Sequence, residues 1–217
     1  MNKDQGDHYG SYLAQFRKEP NEQLIKLGEN ARERRIPIMQ PETMSVVEQL
    51  IRLKKPKSIL EIGSAVGYSA INMALAGGSA TKVVSLERDP AMVQEARQNV
   101  ERLGLVDQIT ILERDALVNP TELSAYGPFD FLFIDAGKGH YTTFFESYTP
   151  YLTLEGLVVC DNVLFRGLVT APESAPKRLQ KMAEKMHAFN QWLHDHPAYK
   201  TTLLPVGDGL SVSVKTN

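Results

Sequence analysis

Ser58-Ile-Leu-Glu-Ile-Gly-Ser-Ala-Val-Gly-Tyr-Ser69 decides the fold. A short, almost wholly apolar run meets a loop with glycines at 63 and 67, and an amphipathic segment follows over 68–77. A strand that reads apolar throughout is buried on both faces, as in a parallel sheet covered by helices. Four more such runs follow: Lys82-Val-Val-Ser-Leu, Gln108-Ile-Thr-Ile-Leu, Phe129-Asp-Phe-Leu-Phe-Ile and Gly156-Leu-Val-Val-Cys. Amphipathic segments at 90–104 and 141–153 lie between them, so the chain reads as a βαβ series of the α/β class.

Outward from this core, residues 8–54 read as helices, with apolar stripes at Leu24, Leu27, Ala31 and at Met44, Val47, Leu50, Ile51. Beyond Ser174 a stripe of Leu179, Met182, Met186, Phe189 and Leu193 runs to Pro197. Two strand-like runs, 201–206 and 210–214, then flank Gly207-Asp-Gly209, which predicts a closing hairpin and an antiparallel edge. With 217 residues, 42% apolar and 23% charged, and no repeat or long linker, the expectation is a single domain over 1–217. It comprises a helical arm over 1–54 and a Rossmann-like core over 57–217. The single cysteine, Cys160, forms no internal disulfide and falls in an apolar run as a small buried side chain, which fits a reducing cytoplasm. No stretch approaches the length of a membrane span, so no membrane partner is expected.

Ligands of open α/β sheets lie beyond the carboxyl ends of the strands. At the first, Gly63 and Gly67 let the backbone turn tightly beside a ligand, although the spacing misses the dinucleotide GxGxxG pattern. At the second, Glu87 stands twenty residues after Gly67, where a carboxylate accepts ribose hydroxyls. Asp115-Ala116, after the third, would face the base of the same nucleoside. These features alone also suit an NAD-dependent enzyme or a non-catalytic nucleoside-binding domain. The fourth and fifth runs end in Asp135 and in Asp161-Asn162, an all-oxygen set suited to Mg²⁺, Mn²⁺ or Ca²⁺. Lys138 is the nearest base, and a cation beside it would lower its pKa. His194 and His196 end a helix and read as solvent-exposed.

Leu60-Glu-Ile-Gly-Ser-Ala-Val-Gly-Tyr-Ser69, Phe133-Ile-Asp-Ala-Gly-Lys-Gly-His-Tyr141 and Val159-Cys-Asp-Asn-Val163 together resemble the cation-dependent, S-adenosylmethionine-dependent O-methyltransferases of the catechol and caffeoyl-coenzyme A type. The resemblance implies a class I methyltransferase sheet of seven strands, mostly parallel with a reversed last strand, and a homodimer. It implies cofactor contacts at Met39, Glu61, Gly63, Ser69, Glu87, Ala116 and Asp135. Metal ligands would be Asp135, Asp161 and Asn162 for Mg²⁺ or Mn²⁺, with Lys138 as catalytic base. Many relatives carry an acid where this chain has Gly137.

Within that family the chain looks most like the compact bacterial branch that converts 5-hydroxyuridine of the tRNA wobble position to 5-methoxyuridine, a likeness that includes Arg32-Glu-Arg-Arg-Ile-Pro-Ile-Met39. The 5-hydroxyl and 4-carbonyl of that base are vicinal oxygens, as in a catechol. A net charge of −2 gives no global attraction to nucleic acid, but basic residues cluster locally. Arg32, Arg34, Arg35, Arg166, Arg178 and Lys181 are therefore the expected contacts to the anticodon region. A small-molecule, catechol-like acceptor is the rival expectation.

Overall fold

A computed structural model describes residues 12, 13, 15, 16, 21–118 and 121–216, leaving aside the side chain of Lys138. Most of the helical segment expected before residue 21 lies outside the described residues. Helix α1 (Glu22–Glu33) opens where the Asn21 side chain accepts from the Gln23 N–H at 2.8 Å, and α2 (Pro41–Lys54) starts with proline, whose missing N–H costs nothing in a first turn. The core then runs β1 (Ser58–Ile62), α3 (Tyr68–Gly77), β2 (Lys82–Glu87), α4 (Pro90–Arg102), β3 (Ile109–Glu113), β4 (Phe129–Ile134), α5 (Tyr141–Tyr148), β5 (Leu152–Asp161), α6 (Lys177–Asp195), β6 (Tyr199–Leu204) and β7 (Leu210–Lys215).

The described strands form one seven-stranded sheet in the order β3-β2-β1-β4-β5-β7-β6. Strands β1 to β5 pair in parallel, and β7 runs antiparallel to both β5 and β6. Side chains alternate between the two faces. Ile59, Phe131, Phe133 and Val159 pack with α1 to α4, whereas Leu60, Leu132, Ile134 and Val158 pack with α5 and α6. Phe131, Leu132, Phe133 and Ile134 are all fully buried, each worth about 1.5–3 kcal/mol of apolar burial. This double cover explains why these strands read as unbroken apolar runs.

Three expectations need correction. The segment 141–153 is not one helix, because α5 ends at Tyr148, Thr149–Tyr151 forms a 3-10 turn around Pro150, and β5 begins at Leu152. The fifth strand therefore has ten residues, with a register shift opposite Phe129–Phe131. The sixth strand starts at Tyr199 and ends at Leu204, two residues earlier at each end than the pattern suggested. His196 is half-buried against Phe145, Trp192 and Tyr199, with ring centroids 4.9 to 5.7 Å away, while His194 is exposed as expected. Cys160 is fully buried, and burial pushes its thiol up to about 12. Among the described residues no helix is long and apolar enough to cross a membrane.

Candidate active site

A cavity of about 690 Å³ opens at the carboxyl ends of β1, β2, β4 and β5. The loop after β1 forms its floor. Gly63 and Gly67 have φ of +95° and +83°, and a side chain at Gly63 would collide with the carbonyl of Asp135. Glycine at this position thus lets β1 and β4 present their ends side by side. The Ser64 hydroxyl in this wall is buried and has no hydrogen-bond partner among the described residues. Gly67 caps α3, whose first N–H groups favour a carboxylate.

Glu87 stands at the end of β2 and lines the cavity. One of its carboxylate oxygens accepts from the Ala65 N–H at 2.9 Å, and the other from the N–H groups of Arg88 and Asp89 at 2.8 and 3.0 Å. The carboxylate is held rigidly, with acceptor capacity left on the Ala65 side for a ribose hydroxyl. Asp115 and Ala116 lie in the same wall, and Met39, only 3% exposed, closes it from the segment joining α1 to α2. Ser69 also lines the cavity. Glu61 is fully buried and accepts from the Ser85 hydroxyl. Burial drives its carboxyl up to about 8, the hydroxyls of Ser69 and Ser85 pull it down, and Asp135 and Glu87 push it up.

At the other end, Asp135, Asp161 and Asn162 converge. The Asn162 amide nitrogen donates to Asp135 Oδ1 at 3.1 Å, and the Asn162 backbone N–H donates to Asp161 Oδ1 at 2.6 Å. Asn162 has φ of +62°, a left-handed conformation that turns its side chain back toward β4. The buried Tyr141 hydroxyl donates to the Asp161 carbonyl at 3.0 Å and fixes the strand end. Two carboxylates and an amide supply hard oxygens, since rotating the Asn162 amide by half a turn offers its oxygen instead, so the set fits Mg²⁺ or Mn²⁺. Among the described residues no group of three or more His, Cys, Asp and Glu is arranged to hold a metal ion.

Lys138 opens the 3-10 turn Lys138–His140 beside this end, with its side chain outside the described part. Gly137 lines the cavity, and within 4 Å a side chain there would approach only the His140 ring, at 3.9 Å, so the position opens on free space. Tyr68 and Asp208 also stand in the cavity wall, where no sequence pattern placed them. Lys185, part of the basic 177–185 helix face, reaches the same wall and shares that face with Arg178, Lys181 and the cavity-lining Met182. Arg34 is bound through both terminal nitrogens to Glu95 at 2.6 and 2.9 Å, Arg32 lies 6.0 Å from the Tyr68 ring centre, and Arg35, Arg166, Arg178 and Lys181 are exposed.

The family model for O-methyltransferases matches residues 15–216. A catechol O-methyltransferase from Niastella koreensis is 32% identical over 96% of this chain and 95% of its own length. The chain belongs to the O-methyltransferase family. Its catalytic activity is S-adenosylmethionine-dependent O-methylation. Another member, caffeoyl-CoA O-methyltransferase 1 of Arabidopsis thaliana, is 29% identical over 76% of this chain and 66% of its own. A Staphylococcus aureus crystal structure of the caffeoyl-CoA O-methyltransferase type superposes with a TM-score of 0.88 at 35% identity, covering 95% of this chain and 98% of that one. The SAH-bound methyltransferase of Podospora anserina gives 0.87 at 26% identity, covering 100% and 97%.

For this O-methyltransferase, Glu87→Gln is expected to weaken SAH binding by about 1.5–3 kcal/mol, roughly 10- to 100-fold in Kd, through loss of a charge-assisted bond to the ribose. Titration calorimetry reads it, and an unchanged Kd would remove Glu87 from the donor site.

Proposed function

We propose that this enzyme is a cation-dependent O-methyltransferase that methylates the 5-hydroxyl of 5-hydroxyuridine at the tRNA wobble position. The observation that carries this reading is the convergence of Asp135, Asp161 and Asn162 in the same cavity as the glycine loop and Glu87. A methyl donor at one end and a cation-holding set at the other suit an acceptor with two vicinal oxygens on a planar ring. The polynucleotide assignment draws on the sequence resemblance and on the α6 face of Arg178, Lys181 and Lys185, which continues from the cavity wall to the surface. Exposed Arg166, four residues beyond Asn162, extends that basic rim toward phosphates flanking an extruded nucleotide. The family resemblance further supports a homodimer, which light scattering tests.

S-adenosylmethionine, when bound, supplies a methyl group on a sulfonium, and Mg²⁺ or Mn²⁺, when bound, supplies positive charge that lowers the pKa of the acceptor hydroxyl. Glu87, Met39 and the Gly63–Gly67 loop hold the donor; Asp135, Asp161 and Asn162 hold the cation. Lys138 Nζ takes the acceptor hydroxyl proton, as a general base. Fixing donor and acceptor in one enclosed cavity supplies much of the rate gain through proximity.

The catechol and caffeoyl-CoA relatives favour a second reading, a small catechol-like acceptor. Mass spectrometry of nucleosides from 5-hydroxyuridine-bearing tRNA, incubated with enzyme, S-adenosylmethionine and Mg²⁺, separates the two. The tRNA reading expects 5-methoxyuridine to form and tRNA affinity to fall steeply with salt. Efficient methylation of free catechol with tRNA left unchanged would establish the small-molecule reading.

A further inference from the structure

Two segments face each other at the cation end of the cavity. One is 162–167, where Asn162, Phe165, Arg166 and Gly167 have φ of +62°, +44°, +57° and +76°. Side chains of L-residues disfavour that region, so three non-glycine positions along one short path need support from outside the loop. The other is the turn between β6 and β7, which supplies it. The Val163 N–H donates to the Gly209 carbonyl at 3.0 Å, and the Leu164 N–H donates to the Asp208 carbonyl at 2.9 Å. The Arg166 N–H donates to the Asp208 carboxylate. On its far side the turn is seated on α2, because a side chain at Gly207 would collide with the Thr43 hydroxyl. At Gly209 a side chain would collide with Leu164. The turn is therefore fixed between the start of α2 and the 162–167 loop.

Of these bonds, only the one to Arg166 depends on a side chain. We propose that Asp208 is a positioning residue that holds the 162–167 loop in its left-handed path and so keeps the Asn162 side chain beside Asp135. This rests on the reading that Asp135, Asp161 and Asn162 hold a divalent cation. It gives the aspartate of Gly207-Asp-Gly209 a role distinct from donor binding, although the turn adjoins Gln40 and Thr43 on the donor side.

The test measures Mn²⁺ binding directly, by the paramagnetic resonance signal of free Mn²⁺, in wild type, Asp208→Ala and Asp208→Asn, with SAH binding followed by calorimetry. Asp208→Ala is expected to weaken Mn²⁺ at least tenfold, the loss typical when a ligand's supporting bond is removed, and to leave the SAH Kd within about twofold. Asp208→Asn keeps an oxygen that accepts from the Arg166 N–H and is expected to return Mn²⁺ affinity to within about threefold of wild type. The proposal is overturned by wild-type Mn²⁺ affinity in Asp208→Ala. It is equally overturned if Asp208→Asn is as weak as Asp208→Ala, which would make the charge the cause, or if SAH binding falls in step with Mn²⁺. Should Asp208→Ala not fold, Asp208→Asn decides alone, with a tenfold loss overturning the proposal and near-wild-type affinity supporting it. A wild-type enzyme that binds no Mn²⁺ overturns the cation reading itself and this proposal with it.

Discussion

Asp161→Ala is expected to lower kcat/KM at least a thousandfold while the protein stays folded, and EDTA is expected to reproduce that loss in the wild type until Mg²⁺ or Mn²⁺ is restored. Asp161 is only 4% exposed, and its carboxylate meets Asn162 at the end of β5, next to Asp135. On the proposed cation reading, removing one of two anionic ligands would abolish the charge that makes the acceptor hydroxyl acidic, and a thousandfold corresponds to about 4 kcal/mol of barrier. Losing this buried carboxylate also relieves its repulsion with the neighbouring Asp135, so the melting temperature should move by only a few degrees. Methyl transfer at full rate in EDTA would sink the cation-dependent mechanism.

The second large effect is on stability against pH, and it comes from Glu61. Its carboxyl is raised from 4.5 to about 8 in the folded protein, first of all by burial. A folded-state pKa above the unfolded one means that the native state binds the extra proton between those values, so stability is highest below about 4.5 and falls as pH rises through 8. The size is roughly 4–5 kcal/mol. Glu61→Gln mimics the protonated form. It should match wild type near pH 4.5, melt about 10 °C higher at pH 9, and flatten the decline between them. Thermal melts followed across pH read this, and identical melting curves for the two proteins would remove Glu61 as the titrating group.

The sheet was readable because its strands are buried on both faces and leave an apolar signature that needs no partner to interpret. Where the signature weakens, at Thr153 and Glu155, the strand read as helix and loop, although β5 already pairs with β4 from Leu152. Gly63, Glu87, Asp135, Asp161 and Asn162 were readable for a related reason. The ends of parallel strands must meet, so position along the chain predicts position in space. Asp208 and Tyr68 carry no such rule, since a hairpin turn and a helix start reach the cavity only through tertiary packing. Arg34 illustrates the converse. Its guanidinium is engaged by Glu95, 61 residues away, and no local pattern announces that pair.

The clamp on the 162–167 loop bears on how the enzyme is made. Arg166 leaves the ribosome 42 residues ahead of Asp208, which at about 5–20 residues per second is a delay of roughly 2–8 s. Strands β1 to β3, with the glycine loop and Glu87, emerge before either. The residues of the glycine loop and Glu87 are thus synthesised before those of the clamp, and β7 must slot between β5 and β6 to bring the turn into place. The clamp is thus complete only once the last strand of the sheet is in place.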